Sequence, residues 1–155
     1  ASGAAQQDRA SNPVDYSAHY WQLELGLARG PTTVRLGQEH LGGDIRVANH
    51  RFQTPLATLH AFQGWADKFL VTPPQGVDDR YLTLETTFRG VVAQAQWHDF
   101  RAAAGSGRYG REWDFALSRK FGQRYELLGK YAAYSARDFS TDTRKGWLMF
   151  TATLQ

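Results

Sequence analysis

Apolar and polar residues alternate one by one along most of this chain. Trp21, Leu23, Leu25 and Leu27 are separated by Gln22, Glu24 and Gly26, and Val34 and Leu36 by Arg35. The same period of two carries Leu82, Leu84 and Phe88; Val91, Ala93, Ala95 and Trp97; Trp113, Phe115 and Leu117; Tyr125, Leu127, Tyr131 and Ala133; and Leu148, Phe150 and Ala152. A period of two places successive side chains on opposite faces of a strand. The pattern therefore predicts seven strands, each with one apolar and one largely polar face. Leu128 is the one clear break in it. A further strand over Ile45–Phe52 would make eight, although alternation there is poor.

The predicted links sort by length. Gly30-Pro31, Arg89-Gly90 and the stretch around Gly122 are short, whereas Leu41 to Asp79, Phe100 to Gly110 and Arg137 to Lys145 are long. Short turns at one end of an up-and-down sheet and long loops at the other are the habit of outer-membrane barrels. With a periplasmic C-terminus and seven strands, the first strand runs inward and the chain starts outside. Complete bacterial barrels have even strand counts, so an odd count implies a portion of a larger barrel. The longest link, 44–78, carries a helical signal. Thr54 is placed to cap, Pro55 suits the first helical position, and Leu56, Leu59, Phe62, Ala66, Phe69 and Leu70 form a stripe that Pro73, Pro74 and Gly76 end. The sequence thus predicts a single all-β domain over 1–155, an antiparallel up-and-down transmembrane β-barrel of seven or eight strands, with one short helix in an external loop.

Composition fits. Mean hydropathy is −0.52, and no run approaches the roughly 18 apolar residues of a spanning helix. That excludes an α-helical membrane protein but not a barrel, whose strands never look hydrophobic as a window average. Five Trp and seven Tyr suit a membrane interface, where a ring body and a polar tip are both satisfied. Tyr16, Tyr20, Trp21, Trp97, Phe100, Trp113, Phe121, Tyr125 and Tyr131 are the candidates for such girdles. The absence of cysteine agrees with a bacterial envelope protein without disulfides. A net charge of +3 with mixed signs and no basic run gives nucleic acid nothing to bind. The small, polar start from Ala1 to Asn12 reads as a mobile terminus or the remnant left by a cleaved signal.

Several segments carry a family resemblance. Phe52 to Leu70, with Gln38-Glu39-His40-Leu41-Gly42-Gly43 before it and Asp79-Arg80-Tyr81-Leu82 after it, resembles a signature stretch of alginate-export outer-membrane porins. Trp97-His98-Asp99-Phe100, Tyr109 to Asp114 and Lys130 to Tyr134 resemble the last strands of that family. The resemblance covers nearly all of the chain from Tyr16 onward. It implies a C-terminal part of a larger bacterial outer-membrane barrel, partnered by the remaining strands or another chain, that exports an acidic polysaccharide or passes polar solutes. The chain departs from such barrels, which end on an aromatic residue, by ending Thr153-Leu154-Gln155. The native chain therefore continues beyond this point or carries an atypical terminal signal.

The chemistry expected is that of a pore wall. By alternation Arg35, Glu39, Glu85, Arg89, His98, Asp114, Lys120 and Lys130 line the lumen, where charged groups set selectivity; the bland alternative is cross-strand pairing worth about 0–1 kcal/mol each. Arg35, Arg89, Lys120 and Lys130 are the expected contacts for an anionic solute. Leu56, Leu59, Phe62, Trp65 and Phe69 are expected to build a constriction from the loop. The histidines His19, His40, His50, His60 and His98 show no metal-ligand spacing, and Gly105-Ser106-Gly107 falls in a loop rather than at a nucleophile elbow. Glu85 and Asp114 are the one candidate carboxylate pair. No enzyme activity, metal or cofactor is expected. The rival reading is a soluble, lipocalin-like eight-stranded barrel, in which the apolar rows would turn inward around a small apolar ligand.

Overall fold

Eight antiparallel strands form one sheet in strict chain order in the computed structural model, which describes residues 1–9, 17–47, 50–54 and 63–153. The strands are β1 (Ser2–Gln7), β2 (Ser17–Arg29), β3 (Thr32–Leu41), β4 (Val77–Phe88), β5 (Val91–Arg101), β6 (Arg108–Phe121), β7 (Tyr125–Ala136) and β8 (Thr143–Ala152). Each pairs with its sequence neighbours, and among the described residues β1 and β8 pair on one side only, so the sheet is open. Seven strands lie where alternation places them. The eighth is not Ile45–Phe52, where residues 45–47 form a bend. It is Ser2–Gln7, which pairs with β2 from Ser2 opposite Gln22 to Gln7 opposite Ser17. Residues 2–7 of the N-terminal stretch expected to be a mobile end or signal remnant thus belong to the sheet. Among the described residues the count is even, so strand number no longer implies a missing portion.

Short turns close the β2–β3, β4–β5 and β6–β7 ends. Gly30 and Gly90 take positive φ there, where a side chain would be strained. The long links all emerge at the other end. In the longest, residues 63–67 lie over the polar face. At its neck Gly43 and Gly76 pass so close that a Cβ on Gly43 would sit 2.1 Å from the Gly76 nitrogen.

The predicted helix is absent from the described part of this loop. Residues 63–70 form successive turns, with positive φ at Gln63, Gly64 and Asp67, a geometry no α-helix admits. The rest of the helical stripe, with Leu56, Leu59 and Phe62, lies outside the described residues.

Burial is inverted relative to a soluble sandwich. The apolar rows are open: Leu25 is 69% exposed, Leu27 74% and Leu148 79%. The polar face is the covered one. Glu112 and Asp114 are fully buried, and Glu39, Asp79, Thr83 and His98 nearly so. The hydrophobic core lies between loop and sheet rather than between two sheets. Trp65, Ala66 and Phe69 of the loop pack with Leu41, Val77, Phe100, Tyr109 and Tyr134 of the strands, at the long-loop end.

Candidate functional site: a loop clamped on the polar face

The turn at residues 63–67 explains how the loop grips the wall. Positive φ at Gln63 and Gly64 swings the chain so that two successive amides, of Trp65 and Ala66, point at β6. Consecutive N–H groups in such a turn form a concavity suited to an anion. Here the acceptors are the protein's own carboxyl groups. Asp114 Oδ2 accepts from the Trp65 amide at 3.3 Å, and Glu112 Oε1 from the Ala66 amide at 2.6 Å. Glu112 and Asp114 are two residues apart, so both project from the same face of β6. Each keeps a second, buried oxygen without a hydrogen-bond partner, Glu112 Oε2 and Asp114 Oδ1.

Further contacts extend the clamp across the sheet. Gln63 donates to Glu39 Oε2 on β3 at 2.7 Å, and Lys145 on β8 reaches Asp67 at 2.7 Å. Lys130 on β7 sits 3.8 Å above the Trp65 ring, a cation–π contact. Phe69 enters an aromatic nest, 4.6 Å from Phe100, 5.4 Å from Phe139 and 5.7 Å from Tyr109 between ring centroids. The partly exposed Lys145–Asp67 pair contributes about 0–1 kcal/mol; the buried aromatics and the amide bonds dominate.

Beside the clamp a cavity of about 260 Å³ opens along β2 to β5, lined by Glu24, Arg35, Glu39, Tyr81 and His98 among others. Tyr81 accepts from Gln22 and donates to Glu24, each at 2.9 Å. His98 Nδ1 lies 2.9 Å from Asp79, and its Nε2 lies 3.2 Å from Gln96 and 3.7 Å from Asp114. The His98–Asp79 pair resembles a base with its orienting carboxylate. Its far nitrogen, however, faces an amide and a second carboxylate rather than a nucleophile. Arg35 pairs loosely with Glu24 at 3.8 Å, both side chains partly exposed on the cavity wall. Among the described residues no group of three or more His, Cys, Asp or Glu side chains is disposed to hold a metal ion.

The predicted lumen set divides accordingly. Arg35, Glu39 and His98 meet at the cavity, and Asp114 and Lys130 at the clamp. Glu85 lies nearer the short turns, in register with Gln94, whereas Asp114 is in register with Gln96 on the next strand pair. The carboxylate that accompanies Asp114 is therefore Glu112, not Glu85. Arg89 occupies the β4–β5 turn, over the Phe88 ring. Lys120 stands at the β6–β7 turn, in register with Glu126 and bordering a separate cavity. Trp65 and Phe69 serve as anchors of the loop. Of the girdle candidates, Tyr20 and Phe100 point to the covered face, Phe100 fully buried, and Tyr16 lies outside the described residues. Asp79, Tyr81 and Gln63 were missed. Asp79 and Tyr81 continue the alternation of Thr83 and Glu85 and were legible by it; Gln63 depends on where the loop lands.

No protein-family model matches the chain, and no curated protein or solved structure is detectably similar to it. The resemblance to alginate-export porins rests on the sequence motifs alone.

Proposed function

We propose that this chain is wall and constriction of a bacterial outer-membrane pore that passes or exports a polar, anionic solute such as an acidic polysaccharide. The inversion of burial carries the reading. An open apolar face opposite a covered polar face is what a barrel strand needs with lipid on one side and a wet lumen on the other. The apolar stretch from Trp21 to Leu27 is about 20 Å long at the rise of a strand, about 15 Å of height at the tilt of a barrel strand and within the roughly 25 Å apolar band of such barrels. Outward aromatics mark both ends of that band. Trp21 stacks on His40 at one end, and Tyr125 stacks on Phe150 near the short turns at the other. The unpaired edges of β1 and β8 are costly in a bilayer, and they join further strands or another chain.

The charge preference follows from how the wall spends its acids. Glu39, Asp79, Glu112 and Asp114 are occupied by Gln63, His98 and loop amides, while Arg35, in a loose pair with Glu24, stays partly exposed in the cavity. A soluble barrel around an apolar ligand would bury the leucine rows that stand open here.

The test is single-channel recording of the protein extracted from cell envelopes and placed in planar bilayers. Stable conductance steps are expected, with a reversal potential favouring anions that shifts toward cations in Arg35→Glu. Replacing residues 54–70 by a short Gly-Ser link is expected to enlarge the step. A protein that gives no steps overturns the pore; a step unchanged by the loop replacement overturns the constriction.

A further inference from the structure

The outward face holds one feature that passage of solute does not use. Between β2 and β3 the leucine side chains leave a groove of about 330 Å³, floored by Leu23, Leu25 and Leu36, with Gln38 and Arg80 at its long-loop end. The ends of this groove differ in chemistry. Below are aliphatic rows only. Above begins a belt of charge formed by Arg80, Asp99, Arg101 and Arg111, which the register brings side by side on β4, β5 and β6.

Within that belt Arg80 is left over. Its cross-strand neighbour is Asp99, but the Asp99 carboxylate is occupied by Arg101 at 2.6 Å and Arg111 at 3.2 Å. Gln38, the other polar group at the groove, donates its amide to Asp78 at 2.6 Å. Arg80 is exposed and has no hydrogen-bond or ion-pair partner among the described residues. Three guanidinium groups, of Arg80, Arg101 and Arg111, face two carboxylates here, Asp99 and the Gln38-bonded Asp78, so the local field still favours an anion.

We propose that this groove binds one anionic phospholipid of the surrounding membrane, its phosphate on Arg80 and one acyl chain along Leu23, Leu25 and Leu36. Arginine presents a planar fork of donors that matches phosphate oxygens, and a basic group bordering an apolar surface is the physical basis of headgroup recognition. The groove supplies shape for the chain and Arg80 supplies charge. A headgroup without chains, or a chain with a zwitterionic headgroup, satisfies only half of the site. The inference rests on the reading that the apolar rows face lipid, and the test separates the two.

The detergent-solubilised protein is titrated with phosphatidylglycerol and with phosphatidylcholine of identical chains, and the first bound lipid is counted by native mass spectrometry. Phosphatidylglycerol is expected to bind at least tenfold more tightly. Arg80→Gln is expected to bring the ratio within threefold. Arg119→Gln, which removes an outward charge beside Phe121 at the opposite end of the sheet, is expected to leave it unchanged. Equal binding of the two lipids overturns the site, as does a ratio unmoved by Arg80→Gln or lowered equally by Arg119→Gln. A parallel measurement in nanodiscs follows quenching of tryptophan by phosphatidylcholine with brominated chains. Absence of quenching overturns the membrane reading and this one together; strong quenching without a phosphatidylglycerol preference overturns this one alone.

Discussion

Gly64→Ala is the most direct perturbation of the clamp, because the structure supplies both parts of its cost. Gly64 has φ +78, where an L side chain is disfavoured by about 1–2 kcal/mol. A Cβ there would also lie 2.7 Å from the Cδ and Oε2 atoms of Glu112 and 2.8 Å from its Oε1. Glu112 is fully buried and cannot swing aside into water. To make room it must abandon the Ala66 amide, a bond of 2.6 Å, and leaving a buried donor unsatisfied costs about 1–3 kcal/mol. Together the terms destabilise the docked loop by about 3 kcal/mol, so the ratio of docked to released loop should fall about a hundredfold. Hydrogen exchange at the Ala66 amide reads this ratio directly. A double-mutant cycle separates the two terms. In a Glu112→Ala background the clash is gone, and Gly64→Ala should cost only the backbone term of about 1–2 kcal/mol, leaving a coupling of about 1 kcal/mol or more. Full protection of Ala66 in Gly64→Ala, or simple additivity of the two changes, would refute the argument.

Two further predictions concern the other faces of the structure. Phe69→Ala empties the aromatic nest of Phe100, Tyr109 and Phe139 and should weaken loop docking by about 3–5 kcal/mol, seen as rapid proteolysis within residues 63–76; Leu70→Ala, at a side chain 56% exposed, should stay within about 0.5 kcal/mol of the parent. Leu25→Lys places a charge in the middle of the outward band and should cost about 2–4 kcal/mol in urea unfolding from liposomes, whereas Gln94→Lys on the cavity wall should cost far less. Equal costs for those two would show that the faces have been assigned the wrong way round.

Most of the sheet was legible because its two faces differ in chemistry. A strand such as Trp21–Leu27 announces itself when leucine alternates with glutamine and glutamate. β1 carried no such contrast. Its sequence, Ser-Gly-Ala-Ala-Gln-Gln, puts small residues on both faces, so only pairing with β2 defines it. The false helix has the opposite cause. Ala66, Phe69 and Leu70 do recur at helical spacing, but Ala66 and Phe69 are buried by packing on strands while Leu70 stands exposed, and the Trp65 and Ala66 amides bond to carboxyl groups of β6 instead of carbonyls within the loop. The face of each candidate residue was legible in the same way. Which of them meet was not, because Lys130, Glu112 and Glu39 acquire their roles from a loop that begins and ends on β3 and β4 and lands as far away as β8.

The inverted burial also bears on what must surround the chain. Leu23, Leu25, Leu27, Leu36, Leu82, Leu84, Phe115, Leu117, Leu148 and Phe150 are each between 43% and 79% exposed. Full burial of one such side chain is worth about 1.5–3 kcal/mol. Even at half the lower figure, ten of them forgo about 7 kcal/mol in water, as much as the whole net stability of many domains. Under the proposed function this face is covered in the working protein. A protein partner and a bilayer would both recover the energy, but they leave different borders. An interface core is ringed irregularly by polar residues, whereas this apolar band has parallel limits: the Arg80–Asp99–Arg111 belt above, and Phe88, Phe121, Tyr125 and Phe150 at the turns below. Limits that keep their level from strand to strand, above on β4 to β6 and below on β4 and β6 to β8, follow from a slab of fixed thickness, which is why lipid is the cover the geometry favours and why Leu25→Lys should cost more than any change on the cavity wall.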